Sequence, residues 1–151
     1  MEITVIDDRS IAGWLGSFTR TGEVYMTNAQ NMVVNVLNKA GTNKISRLNI
    51  IDHGNKTLMR LGDDVVTAEN VGTFSTTLGL LRGYFTSTGF VHLQHCMIGE
   101  SWVLLGKLAK IWGVSVYAGT GIHNSVYRIN FWGHYVKSDP NGVFHPNAGR
   151  P

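Results

Sequence analysis

Leu48-Asn-Ile-Ile-Asp-His-Gly54 and Phe90-Val-His-Leu-Gln-His-Cys96 decide how this chain is read. Each is a short apolar run that stops in polar or reactive side chains. The first stops in Asp52-His53-Gly54, the second in His95 and the only cysteine, Cys96. Runs of this length, rich in Ile, Leu, Val and Phe and without helical period, suit strands buried in a parallel sheet. In open α/β sheets, ligands and chemistry collect at the carboxyl ends of strands. If the two strands are neighbours, His53 and Cys96 emerge on one edge. A thiol beside an imidazole is the minimum equipment for nucleophilic catalysis by cysteine.

The flanking sequence supplies the other elements of such a sheet. Glu2 to Ile6 reads as a first strand, ended by Asp7-Asp8-Arg9, and Ile11 to Gly22 reads as a long loop with at most one helical turn. A helix follows from about Ala29 to Lys39, capped at Thr27 or Asn28, with Met32, Val33, Val36 and Leu37 on one face and Gly41 closing it. Ile45 to Asp52 is the second core strand. Thr57 to Thr67 reads as a small hairpin on the sheet edge, turning at Gly62-Asp63-Asp64. Thr73 to Phe85 spaces Phe74, Leu78, Leu81 and Phe85 for a helix, and Gly89 to Gln94 is the third strand. Gly99 to Trp112 is the clearest helix, with Trp102, Leu105, Leu108 and Ala109 on a shared core face and Gly113 as its stop. Val114 to Ala118 is a fourth strand, followed by a Gly119-Thr-Gly121 loop. Val126 to Lys137 alternates as a half-exposed strand, and Asp139-Pro-Asn-Gly142 turns the chain into Val143-Phe-His145. Strands alternating with helices predict a single domain over residues 1–151: a three-layer αβα sandwich with a mainly parallel sheet and a C-terminal β-hairpin.

Bulk composition narrows the function classes. At 151 residues, with 43% hydrophobic and 15% charged residues, the chain can build a core without staples. A net charge of +3, with no basic run, gives no electrostatic footprint for nucleic acid. One cysteine excludes an internal disulfide. No apolar run approaches the ~20 residues of a membrane span, and no signal peptide is visible. The expected location is the cytoplasm, or outside the producing cell after delivery without a visible signal.

A strand ending in Asp-His-Gly, then an edge hairpin and a helix, then a strand ending in Cys resembles the cysteine peptidases of the caspase–legumain–clostripain group. Cys96-Met-Ile-Gly-Glu100 is similar to the region after the clostripain nucleophile, and Val116-Tyr-Ala-Gly-Thr120 falls where that group has a strand ending in small residues. The likeness spans about Ile45 to Thr120. His95 departs from it, since a small or acidic residue often precedes the nucleophile. Similar domains occur in bacterial surface proteins and effectors. The resemblance implies a caspase-like fold and peptide or protein substrates, with Cys96 as thiolate nucleophile and His53 as its acid–base partner. It implies an oxyanion hole from the backbone N–H groups of Gly54 and Cys96, where glycine permits a close approach. Asp52, His95, Gly119 and Thr120 are candidate cleft or substrate-binding residues. No cofactor is implied.

Plainer readings stand beside these. Cys96 alone reads as a buried structural thiol, and His53 alone as a hydrogen-bonded histidine. His92 and His95, three positions apart on a strand, face opposite sides and do not chelate one ion, and no zinc motif is present. Gly119-Thr-Gly121 lacks the lysine and spacing of a phosphate loop. Asp63 and Asp64 read as a solvated turn, or with Asp52 as an attraction for a basic substrate. A non-catalytic caspase-like interaction domain and a small-ligand-binding α/β protein are the competing functions. Cleavage specificity, activation and oligomeric state stay open.

Overall fold

The computed structural model describes residues 1–7, 21–124 and 127–151. It is a mixed α/β fold around one seven-stranded sheet, compatible with an αβα sandwich. The strands are β1 (Glu2–Ile6), β2 (Val24–Tyr25), β3 (Ile45–Ile51), β6 (Phe85–Gln94), β7 (Ser115–Gly119), β10 (Tyr135–Ser138) and β11 (Phe144–His145). Their spatial order is β11-β10-β7-β6-β3-β1-β2. All neighbours from β2 to β7 run parallel, and β10 and β11 are antiparallel additions. Two further pairs stand outside this sheet: β4 (Leu58–Leu61) with β5 (Asp64–Thr67), and β8 (Ile122–Asn124) with β9 (Ile129–Phe131).

Three α-helices occur among the described residues: α1 (Ala29–Ala40), α2 (Ser75–Gly79) and α3 (Trp102–Trp112). They pack side by side, α1 on α2 and α2 on α3. Leu48, Ile50, Val91, Leu93, Val116 and Ala118 of the sheet share one apolar cluster with Met32, Val36, Leu78, Leu105, Leu108 and Trp112 of the helices. The alternate strand positions face the other way and mix polar residues with Ile6, Ile51 and Phe90. Arg47, Asn49, His92 and Gln94 are joined there by hydrogen bonds, although Asn49, His92 and Gln94 are buried. The connection from β1 to β2 runs through residues 8–20, so the Ile11 to Gly22 loop expected from the sequence lies almost wholly outside the described residues.

Local chemistry explains the helix ends. Asn28 caps α1 by accepting from the Asn31 N–H, and Gly41 ends it at φ 58°. Gly113, at φ 71°, returns its N–H to the Ala109 carbonyl and ends α3. Both agree with the sequence reading.

Four expectations need correction. The helix predicted over Thr73 to Phe85 is only a 3-10 turn at Val71–Phe74 followed by the short α2. After Gly79 the N–H groups of Leu80, Leu81 and Arg82 bond three residues back, Gly83 turns at φ 90°, and Phe85 is drawn into β6 opposite Ile45. The Thr57 to Thr67 hairpin forms, but as its own two-stranded sheet over the start of α1. There Asp64 accepts from the Ala29 N–H at 2.9 Å, which makes it a helix cap and not a solvated turn residue. The single strand predicted from Val126 to Lys137 is broken. Val126 lies outside the described residues, and Arg128 and Trp132, at φ 58° and 56°, flank β9 and set it apart from β10. Trp102 is 60% exposed instead of core. At ~100° per residue it lies about a quarter-turn from the centre of the Leu104, Leu105, Leu108, Ala109, Trp112 stripe, and its ring leans on Phe144.

Candidate functional site

The pairing of β3 with β6 brings the two decisive stretches together. Their register sets Ile50 opposite Leu93 and Ile51 opposite Gln94, in parallel. Both strands therefore end at the same level, and His53-Gly54 and His95-Cys96 leave the sheet side by side. The approach is close: a Cβ on Gly54 would stand 2.9 Å from His95 Cβ, 3.1 Å from the Leu58 carbonyl oxygen and 3.4 Å from that of Cys96. Any larger residue at Gly54 would separate the strand ends.

His53 is exposed and Cys96 half-buried, so neither is sealed in the core. Cys96 Sγ donates to the carbonyl oxygen of His123 at 3.7 Å. Immediately after it, Met97 adopts the left-handed conformation at φ 54°, and a 3-10 turn (Ile98–Glu100) leads into α3. A non-glycine residue in that conformation stores about 1–2 kcal/mol. The Met97 N–H bonds the Gly121 carbonyl at 2.7 Å. Carbonyl groups of residues 121 and 123 leave β8 along the same edge, so that edge borders the Cys96-Met97 corner.

The other sequence-derived residues are structural supports in their contacts. Asp52 is buried; its Oδ1 accepts from the His53 backbone N–H at 2.7 Å and its Oδ2 from Gly62 at 2.8 Å. Burial raises its carboxyl above the ordinary value, against the pull of those two donors. A buried, doubly engaged carboxylate does not meet a basic substrate from solvent. His95 is 1% exposed and its Nε2 bonds the Arg60 carbonyl at 2.8 Å. Burial pushes its imidazole down to about 4, so the ring is neutral near pH 7 and Nε2 carries the proton it donates. His95 thus ties the β4–β5 hairpin to the strand ends and does not line an open cleft. Gly119 is buried, with Asn130 Oδ1 2.4 Å from where a Cβ would be, and Gly99 packs on its carbonyl from the other side. Thr120 Oγ1 accepts from the His134 N–H at 3.0 Å.

His123 and Asn130 are site neighbours that the sequence reading overlooked. They face each other across β8 and β9. Asn130 accepts from the Gly121 N–H at 2.8 Å. His123 is held down to about 4, by burial first and then by His95 and Arg128. Among the described residues, His95 Nδ1 and both ring nitrogens of His123 are buried without a hydrogen-bond partner. The only signal for them was the placement of Gly121-Ile-His123 just past the carboxyl end of a core strand. His92, pushed down to about 3 by burial and then by Arg47, belongs to the polar sheet face. Among the described residues no group of three or more His, Cys, Asp or Glu side chains is set to hold a metal ion, and no helix is long and apolar enough to cross a membrane.

The corner brings to one sheet edge a half-exposed thiol, an exposed imidazole at the end of the neighbouring strand and the backbone of Gly54. No family model, curated protein or solved structure matches this chain.

Proposed function

We propose that this chain is a cysteine peptidase-like domain of the caspase type, hydrolysing peptide bonds through Cys96 and His53. The supporting observation is the parallel β3–β6 register, which ends both strands at one level and sets Gly54 against Cys96. The finer fold reading, a three-layer sandwich with a C-terminal β-hairpin, belongs to the same proposal and draws on the strand–helix alternation and the antiparallel β10–β11 pair.

The reaction follows from the group chemistry. The Cys96 thiolate attacks the scissile carbonyl carbon, and the oxyanion is received by the N–H groups of Gly54 and Cys96. His53, holding the proton taken from the thiol, gives it to the leaving amine as the C–N bond breaks. The thioester is then attacked by water, which passes a proton to His53; the C–S bond breaks and the proton returns to sulfur. The substrate is a peptide or protein, and a delivered bacterial effector or self-processing module is the setting that the resemblance suggests.

Iodoacetamide labelling tests this reading. Cys96 should be alkylated selectively in the folded protein with a pH-dependent rate. His53→Ala should slow peptide cleavage about a hundredfold or more, and Cys96→Ala should abolish it. A Cys96 that stays unlabelled until urea unfolds the chain overturns the proposal. The second reading, a non-catalytic caspase-like domain, is favoured by one observation: the thiol is engaged with the His123 carbonyl oxygen. Labelling unaffected by His53→Ala supports that alternative.

A further inference from the structure

We propose that the β8–β9 hairpin is the specificity wall of this site, and that it selects substrates with a large apolar side chain beside the scissile bond. The inference rests on the peptidase reading and names what that site would recognise.

The hairpin is attached to the nucleophile corner at two points, Met97 N–H to Gly121 oxygen and Cys96 Sγ to His123 oxygen. Side chains alternate along β8, so His123 and Ile122 face opposite ways. His123 faces inward, with its ring nitrogens buried, while Ile122 is 46% exposed. Phe131 sits directly opposite Ile122 on β9, and Trp132 leans on Phe131 with ring centroids 5.8 Å apart. The outer face of the hairpin is therefore apolar, and it begins one residue from the group touching the sulfur.

Trp132 is 87% exposed and Tyr127 68% exposed. Exposed aromatic groups of this kind commonly mark interaction sites. The direction of Trp132 is imposed by the backbone. It adopts φ 56°, a conformation costly for a bulky residue. It is held there because Gly121 and Gly133 cross without room for a side chain: a Cβ on Gly121 would lie 1.9 Å from the Phe131 carbonyl oxygen, and one on Gly133 2.2 Å from the Gly121 nitrogen. A strained, solvent-facing indole on the hairpin that touches the Cys96 sulfur gains nothing for the core. It supplies a preorganised apolar surface for the substrate segment that reaches Cys96.

The test compares three thiol reagents on the full chain: iodoacetamide, acetyl-Ala-Phe chloromethyl ketone and acetyl-Ala-Ser chloromethyl ketone. In each case sulfur displaces halide, and the two peptide reagents share one reactive group, so their rates differ only by recognition. Wild type should react about tenfold faster with the Phe reagent than with the Ser reagent. Trp132→Ala should erase that preference when both peptide rates are divided by the iodoacetamide rate of the same variant, and Tyr127→Ala should reduce it less. Equal rates for the two peptide reagents, or a preference that survives Trp132→Ala, overturns the wall while Cys96 still labels with iodoacetamide. If no reagent labels Cys96 in the folded protein, the peptidase reading itself fails, and the wall falls with it.

Discussion

His95 allows a quantitative test of how the candidate site is held together. Its imidazole is 1% exposed, and burial moves it from 6.5 down to about 4. For a base whose folded value is lowered, the unfolded chain binds the extra proton between those two values. Stability is then full above pH 6.5 and falls as pH drops through the window toward 4. Integrating the two titrations gives a loss of roughly 2 kcal/mol between pH 7 and pH 5, with a ceiling of about 3 kcal/mol below both values. The perturbation is His95→Gln, which removes the titration and keeps an amide N–H in reach of the Arg60 carbonyl. Urea unfolding at pH 7 and pH 5 on both proteins isolates His95 together with its coupling to His92 and His123, because the burial that dominates the shifts of those two rings is common to both proteins. Wild type should lose about 2 kcal/mol more than the variant over that interval. Equal losses would refute a buried neutral His95 and, with it, the imidazole tether between the β4–β5 hairpin and the strand ends.

Two further outcomes are expected from the contacts. Gly54→Ala forces a Cβ to 2.9 Å from His95 Cβ, and the tethered ring has little room to yield. Urea melts should register about 1–3 kcal/mol of destabilisation, and the rate of Cys96 alkylation should change; a neutral Gly54→Ala contradicts the close approach. Asp64→Ala removes the carboxylate that receives the Ala29 N–H at the start of α1. It should cost about 1 kcal/mol, with Asp64→Asn recovering part of it, since a neutral acceptor keeps the bond and loses the charge.

The parallel core was legible in the sequence because its strands are buried on both sides and cannot afford polar interruptions along one face. Leu48 to Ile51 and Val91 to Leu93 announce themselves by composition. Helix ends were legible at Asn28, Gly41 and Gly113, where the cap is a property of the residue itself. The failures share a cause. Phe85 had the right spacing for a helix and lies in β6, because pairing with Ile45 outweighs a stripe interrupted by Gly79 and Gly83. Trp102 had the right residue type for a core and sits about a quarter-turn off the buried stripe of its helix.

The site divides in the same way. Sequence alone determined that a histidine-glycine pair and a unique cysteine each come after a buried strand, since that is a matter of order along the chain. Only the tertiary structure decided that those strands are neighbours in the register that aligns their ends. It also decided that His95 turns inward to Arg60, and that β8 lies along the Cys96 corner with Trp132 held outward. Those outcomes depend on hydrogen-bond register and on space at Gly54, Gly121 and Gly133, between segments far apart in the chain, and no local pattern encodes them.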